Sequence, residues 1–466
     1  MFFLKPLSLC TQFIDQINDA LLAMGEKRLS TAQKLWFSIC ITGVIVTNSV
    51  CWRRFERAGF GTFCSKAISK MFRQGKIDWN KVLSSSVMNI LKQYNITQGV
   101  LVLDASDNKR SKNTTTIAKV HPIKDKTSGG FIKGQELTML VLVTDKITVP
   151  VGFEFYEPDP QQRAWRKQER ALKKQGVSKD LRPKRPAKNS NYKTMIESAL
   201  NLLQQFQLNY PNIRVKAVLA DALYGANTFV GSASKIFGGV QVISQARKNQ
   251  KVRSGNKYIS VAQYFNRNAG VPRSLKLRGG KEQQVTMHGA RLYLKAHGCK
   301  RFIIALKYDG EKEYRYLLAS DLTWRLTDVA AAYTLRWLVE VFFQDWKGYE
   351  GWCQLAKQPG IEGSSRGVIL SLLVDHCLLL HPDQMALIKN KLPAATVGSL
   401  RDRERATAVL EAIDSLVSND ESEKMIVELK KFVDCAIPLR ESSKHMSARD
   451  LGRLEPTKSL KFRMAA

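Results

Sequence analysis

Three acids and three partner residues stand at spacings that suit phosphate chemistry. Asp104 closes the hydrophobic run Gly99-Val-Leu-Val-Leu-Asp104, and Asp221 closes Arg214-Val-Lys-Ala-Val-Leu-Ala-Asp221. Glu340 lies far downstream in the pattern Tyr333-x2-Arg336-x3-Glu340-x6-Lys347. Taken singly, each feature is ordinary. An aspartate at a strand end usually forms a turn, and an Arg–Glu pair four residues apart on a helix is worth a few tenths of a kcal/mol. Together they form a set of hard oxygen donors flanked by cations. Mg²⁺ is held by such carboxylates, with water and phosphate completing its shell. Two such ions about 4 Å apart can activate an attacking oxygen and stabilise a leaving one in phosphodiester displacement.

The elements that would position these groups can be read from periodicity. The stretch from Tyr333 to Lys347 has no Gly or Pro, so a single helix is expected through it. At 100° per residue, Tyr333, Arg336, Glu340 and Lys347 fall within about 60° of one another. Leu335, Leu338, Val339, Phe342 and Trp346 take the opposite, packing side. The two acid-terminated runs read as strands that would sit side by side and bring Asp104 to Asp221. The helix would then lay Glu340 over both.

The rest of the chain fits a large basic protein. It has 466 residues, 44% of them hydrophobic, enough for real cores in about two to four domains. With 73 Lys and Arg against 41 Asp and Glu, the net charge is +32. That excess calls for a large anionic partner, nucleic acid first. A membrane is not expected. The longest apolar run, Leu35 to Trp52, is interrupted by Ser38, Thr42, Gly43, Thr47, Asn48 and Ser49 and reads as a buried helix capped by Ser30 or Thr31. No signal peptide is evident, so a cytosolic protein is expected. The eight cysteines form no CxxC pair and the six histidines show no zinc spacing, so reduced thiols are expected.

In chain order, residues 1–95 read as a helical, DNA-binding domain, with Arg53 and Arg54 opening a basic and aromatic stretch. Residues 96–246 read as the first part of an α/β core. Leu137–Thr144 and Thr148–Phe155 continue it as an antiparallel meander after the first acid strand. A basic excursion, 156–190, interrupts this part. From Arg163 to Lys188 it holds eleven Lys or Arg, and Pro183 and Pro186 argue against helix there. It reads either as an arm tracking phosphates or as a solvated excursion. Residues 247–322 read as a β-rich insertion, 323–380 as the second part of the core, and 381–466 as a helical C-terminal region with a basic tail. Helices are expected at Gly367–Leu380, Arg401–Leu416 and Glu421–Val433.

The acid motifs and their order resemble DDE transposases of the insertion-sequence-four family. The pattern of Tyr333, Arg336, Glu340 and Lys347 matches that family's signature. Leu103-Asp104-Ala-Ser106-Asp107 looks like its first acidic motif, and Ala220-Asp221-Ala-Leu-Tyr224-Gly225 like its second. The resemblance implies a ribonuclease-H-like core and cut-and-paste transposition. Asp104, Asp221 and Glu340 would bind two Mg²⁺ ions, for which Mn²⁺ would substitute. Tyr333, Arg336 and Lys347 would hold the DNA end. The partners implied are double-stranded terminal inverted repeats and target DNA, handled by a homodimer in the nucleoid of a bacterial cytoplasm. Two departures stand out. Many relatives have Asp-Asp-Thr where this chain has Asp104-Ala105-Ser106; the expected strand-end position favours Asp104 as the ligand. Relatives also stack a flipped base on a Trp in the insertion during a hairpin step. Here Trp324 is the sole Trp between Asp221 and Tyr333, with Tyr314 and Tyr316 as other aromatic candidates. Two competing readings are a decayed protein that only binds transposon ends and a ribonuclease-H-like junction or repair nuclease.

Overall fold

The computed structural model describes residues 3–59, 61–110, 114–125, 129–268, 270–276, 282–352 and 360–416. Five helices come first: α1 (Ser8–Ala23), α2 (Thr31–Thr47), α3 (Trp52–Ala58), α4 (Ser65–Gln74) and α5 (Trp79–Gln93). The long apolar run becomes α2. Its cap is Ser30, which accepts from the Gln33 N–H while the Gln33 side chain accepts from the Ser30 N–H. The helix stops at Asn48, in the left-handed region at φ 53°. Its small polar residues are satisfied inside the protein. Thr42 accepts from the Leu7 N–H at 3.0 Å, and Thr47 donates to the Gly43 carbonyl at 2.7 Å. Among the described residues no single helix is long and apolar enough to cross a membrane.

Four strands follow: β1 (Gln98–Lys109), β2 (His121–Lys124), β3 (Phe131–Val143) and β4 (Thr148–Tyr156). β3 pairs antiparallel with β1 on one side and with β4 and β2 on the other. Next come α6 (Pro160–Lys174), α7 (Met195–Asn209), β5 (Arg214–Ala220), α8 (Asn227–Ile236) and β6 (Gln241–Gln245). β5 pairs parallel with both β1 and β6. The order β4-β3-β1-β5-β6, three strands antiparallel and then two parallel additions, is the ribonuclease-H-like arrangement. The central strands are buried on both faces, as parallel pairing under helices requires: Val100 to Leu103 and Ala217 to Ala220 have no exposed surface.

The strands after β6 do not form a separate layer. They are β7 (Lys251–Ser254), β8 (Lys257–Ser260), β9 (Val271–Lys276), β10 (Glu282–Leu294), β11 (Cys299–Tyr308) and β12 (Arg315–Ala319), with α9 (Val261–Arg267) between β8 and β9. β12 pairs antiparallel with β6, so among the described residues the expected insertion extends the core sheet to twelve strands. The longest strand of the insertion, β10, is continuous and paired with β11 from Val285 to Leu294.

The chain closes with α10 (Leu326–Thr334), α11 (Trp337–Tyr349), α12 (Gly360–Leu379), α13 (Pro382–Lys389) and α14 (Val397–Leu416). α12 is buried along most of its length between the N-terminal helices and α11. His376, on α12, pairs its Nδ1 with the Ser86 hydroxyl and donates from Nε2 to the Pro150 carbonyl at 2.9 Å. It therefore ties α12 to both α5 and β4. Nearby, Glu350 and Asp375 face each other in the core. Burial, the charge of Asp345 and, at Glu350, the charge of its partner push these carboxyls up, Asp375 to about 8. The helix expected at Glu421–Val433 and the basic tail lie outside the described residues. The described cysteines are all free thiols.

Candidate active site

The site begins where the parallel pairing of β1 and β5 ends. The last paired residues are Leu103 and Ala220. The next residue on each strand is an acid, so Asp104 and Asp221 sit on neighbouring strands, about 4.8 Å apart in the pairing direction. Asp221 is the last extended residue before a turn of 3₁₀ helix, Ala222–Tyr224. Its Oδ1 accepts from the Leu223 N–H at 2.9 Å, and its carbonyl accepts from the Ser244 hydroxyl at 2.6 Å. Gly225 lets this turn press against β6, for a Cβ there would meet the Gln245 carbonyl at 2.6 Å.

Asp104 departs from expectation in one respect. It is not the end of its strand: β1 runs on to Lys109, paired there with β3 alone. The long partner strand β3 keeps the backbone extended after β5 has turned away. Asp104 therefore has a firm backbone and an open flank, which is why it still sits beside Asp221 where β5 turns away. Side chains alternate along a strand, so Ala105 points to the face opposite Asp104. An acid at position 105 would not stand in for Asp104.

The signature stretch is not one helix. α10 ends at Thr334 and α11 begins at Trp337. Between them Leu335 and Arg336 keep right-handed dihedrals, but the backbone tightens to 3₁₀ bonds: Leu335 N–H to Ala332, Arg336 N–H to Tyr333 and Leu338 N–H to Leu335. Absence of Gly and Pro permits a helix but does not forbid this tightening. Across this turn Tyr333 stays beside Arg336, its ring centre 6.0 Å from the guanidinium carbon. Its hydroxyl donates to the Ala220 carbonyl at 3.3 Å, pinning α10 to the strand end beside Asp221. Burial pushes its phenol well above the ordinary range, so it remains a neutral donor. The packing side is as expected, with Leu335, Leu338, Val339, Phe342 and Trp346 all buried.

Arg336 is the centre of the arrangement. Its Nη1 donates to Asp104 Oδ2 at 2.6 Å, and its Nη2 pairs with Glu340 Oε1. One guanidinium thus bridges a carboxylate from the sheet to a carboxylate from the first turn of α11. The side chains are 16% exposed at Arg336 and Asp104 and 35% at Glu340. Burial pushes the Asp104 carboxyl up to about 6. Arg336 and the Ala105 N–H, at 2.8 Å, draw it down; the Asp221 and Glu340 charges draw it up. The three acids from three elements therefore feel one another. Among the described residues no three His, Cys, Asp or Glu are gathered closely enough to hold an ion. The guanidinium stands between two of the acids, and a cation already bridging two carboxylates marks a donor set that demands positive charge. Carboxylate oxygens are the donors a hard divalent ion takes, so it is the chemistry of the set, not its present spacing, that fits such an ion.

The other expected residues fall as follows. Lys347, two turns beyond Glu340, places Nζ 3.6 Å from Asp107 Oδ1 on the extension of β1. Arg53 and Arg54 lie exposed on α3, and none of the bonds just described reaches them. Trp324 and Tyr314 are half-buried and pack on the core, and Tyr316 is buried. Two residues were not anticipated. Asp107 is part of the first acidic motif but was not singled out. Trp337 follows Arg336 directly and is 45% exposed; an aromatic interrupting a polar stripe was its signal.

A family model described as DDE superfamily endonuclease matches residues 60–297, which include Asp104 and Asp221. No curated protein matches the chain by sequence. Among solved structures, the chain is similar to a piggyBac transposase synaptic complex with hairpin DNA, with a TM-score of 0.41 and 9% identity, over 94% of this chain and 86% of that one. It is also similar to the NurA nuclease from Sulfolobus solfataricus, with a TM-score of 0.23 and 8% identity, over 58% of this chain and 81% of that one. The Drosophila P element transposase strand transfer complex gives a TM-score of 0.22 and 10% identity, over 55% and 53%.

Proposed function

The chain belongs to the DDE superfamily of endonucleases, and on that footing we propose that it is a transposase of the insertion-sequence-four type. It cuts double-stranded DNA at the terminal repeats of a mobile element and joins the freed ends to a target. The observation that carries this reading is the bridge from Arg336 to Asp104 and Glu340, beside Asp221. A surface helix has no reason to aim an arginine at a costly, buried acid on a central strand.

Asp104, Asp221 and Glu340 are the residues that would hold divalent cations, two Mg²⁺ or Mn²⁺ in their place. When bound, such ions supply activation of the attacking oxygen and stabilisation of the leaving one. The chain's own residues set the frame. β1 and β5 fix two acids at the end of their buried parallel pairing, and α11 brings the third. Tyr333 ties α10 to β5 and so sets where α11 begins. Arg336, which holds Asp104 and Glu340, has a planar fork that also suits a DNA phosphate. Lys347 adds a point charge on the same side. Two copies of the chain hold the two ends.

The test is incubation of the full chain with DNA that carries an element end and its flank, with Mg²⁺ or Mn²⁺. A break at the element boundary is expected, and Asp104→Asn, Asp221→Asn and Glu340→Gln should each abolish it. Binding of the end without cleavage under either ion would replace this reading with that of an end-binding protein. Cleavage of branched junctions, with element ends left intact, would replace it with that of a junction nuclease.

A further inference from the structure

The basic excursion after β4 is a built arm. Its first limb is α6, fifteen residues opened by an Asp159 cap and Pro160. Its second limb, 182–188, folds back along one side of α6. Trp165 Nε1 donates to the Pro183 carbonyl at 2.8 Å, and Gln162 Nε2 donates to the Pro186 carbonyl at 2.6 Å. Arg182 pairs with Glu169 at 2.9 Å, and the Arg185 guanidinium lies 6.0 Å from the Trp165 ring centre. The prolines thus fall in the return limb, where no helix is needed.

These contacts use up the one acid and the one large aromatic side chain of the helix. What remains outward is a basic stripe. At 100° per residue, Arg163, Arg166, Lys167, Arg170, Lys173 and Lys174 fall within a sector of about 120°. All six are exposed, and no acid shares their face. The stripe is about 16 Å long at 1.5 Å per residue.

Its position follows from sheet register. Asp107 on β1 pairs with Glu136 on β3, and Glu136 pairs with Tyr156 on β4. Tyr156 is the last residue of β4, so the arm leaves the sheet level with the extension of β1 beyond Asp104. Two strand spacings, about 10 Å, separate that exit from β1.

We propose that α6 is a DNA-backbone clamp that holds duplex beside the carboxylate site through phosphate contacts without reading sequence. Duplex DNA carries one charge per about 1.7 Å of axis, so a 16 Å row of cations faces several phosphates at once. A membrane surface is the weaker occupant. Interfacial helices bury an apolar face, and here Trp165 is turned to the return limb. The inference rests on the reading above only for the partner's being duplex DNA.

The experiment uses the full chain, a short fluorescent duplex of arbitrary sequence, and anisotropy titrations across a range of salt. The triple substitution Arg166→Gln, Arg170→Gln, Lys173→Gln should weaken binding and lower the slope of log K against log salt by about 2 to 3, at about 0.9 per lost phosphate contact. The charge-conserving triple, Arg166→Lys, Arg170→Lys, Lys173→Arg, should keep the wild-type slope. The side chains are exposed, so unchanged melting of both variants checks the fold. A neutral triple with the wild-type slope overturns the clamp, as does loss of slope in the charge-conserving triple. So does a neutral triple that loses only binding to phosphatidylserine vesicles. If the unaltered chain cuts element ends while the neutral triple keeps its slope, the clamp alone fails. If the unaltered chain binds no duplex at all, the transposase reading fails with it.

Discussion

Replacing Asp104 by asparagine should make the protein more stable while removing its activity. The Asp104 carboxyl titrates near 6 in the folded protein against an ordinary value of 3.8. Its folded value is raised, so the folded state holds the proton more tightly than the unfolded state does. The carboxyl is harmless below about pH 4, and its stability contribution is lost as pH rises through 6. Above that the cost is about 3 kcal/mol, at about 1.4 kcal/mol per tenfold change in acidity. Asparagine removes the charge but offers one acceptor oxygen where the carboxylate offered two. Either the Ala105 N–H or the Arg336 N–H then loses its partner, which costs about 1 to 2 kcal/mol. The net expectation is a gain of about 1 to 2 kcal/mol at pH 7 in chelator. Urea unfolding can follow it by the fluorescence of Trp346 and Trp352, which stack 4.4 Å apart beneath α11. The gain should shrink as pH falls below 6 and be lost by about pH 3, where the wild-type acid is protonated in both states. Added Mg²⁺ should stabilise the wild type and leave the variant unmoved. A variant less stable than wild type at pH 7, or a difference that ignores pH, would refute the argument.

Other expectations follow from the same geometry. Arg336→Ala leaves Asp104 and Glu340 without their shared cation. It should lower stability in chelator by about 2 kcal/mol or more, with Mg²⁺ restoring part of it in the same unfolding assay. Leu338→Ala, on the buried side of α11, should cost about 2–5 kcal/mol of stability while activity per folded molecule changes little. Lys347→Ala removes a pair that is about one-third exposed, so melting should barely move; the salt slope of DNA binding should fall by about 1. Glu350→Gln dissolves a buried acid pair whose carboxyls are raised, Asp375 to about 8. The wild type should therefore lose stability as pH rises toward 8, and the variant should lose less, as melting temperature against pH will record.

Much of the core was readable because its signals were local and strong. The runs before Asp104 and Asp221 are apolar on both faces, and they became the two parallel strands at the centre of the sheet. The apolar side of α11 was legible from its period alone. Weaker elements escaped for stated reasons. β7 has four residues and one buried side chain, Val252, too little for any period. α9 has seven residues, yet Ser260 and Gln263 form a capping box that announces it. The start of α6 was marked by Asp159 and Pro160, but the later prolines drew the reading toward loop. The tightened turn at Leu335 and Arg336 had no sequence signal, because its dihedrals stay helical. Nor could the Glu350–Asp375 contact be foreseen, since the two lie on different elements.

What links the readable and unreadable parts is where burial stops. The sheet core is sealed up to Leu103 and Ala220, and the next residue on each strand is charged. An acid one step beyond a sealed core is only partly solvated, so its charge costs free energy unless a cation compensates it. Arg336 supplies that cation from within the chain. It can do so only because the turn before α11 aims it inward, toward Asp104 and Glu340 together. A divalent ion would meet the same demand. The i,i+4 pair between Arg336 and Glu340 was therefore informative for what it lacked. Arginine first and acid second is the weaker order on a helix, so helix stability alone gives no reason for it. The order makes sense when the arginine must reach past the helix start to Asp104 on the strand while still holding Glu340 one turn behind it.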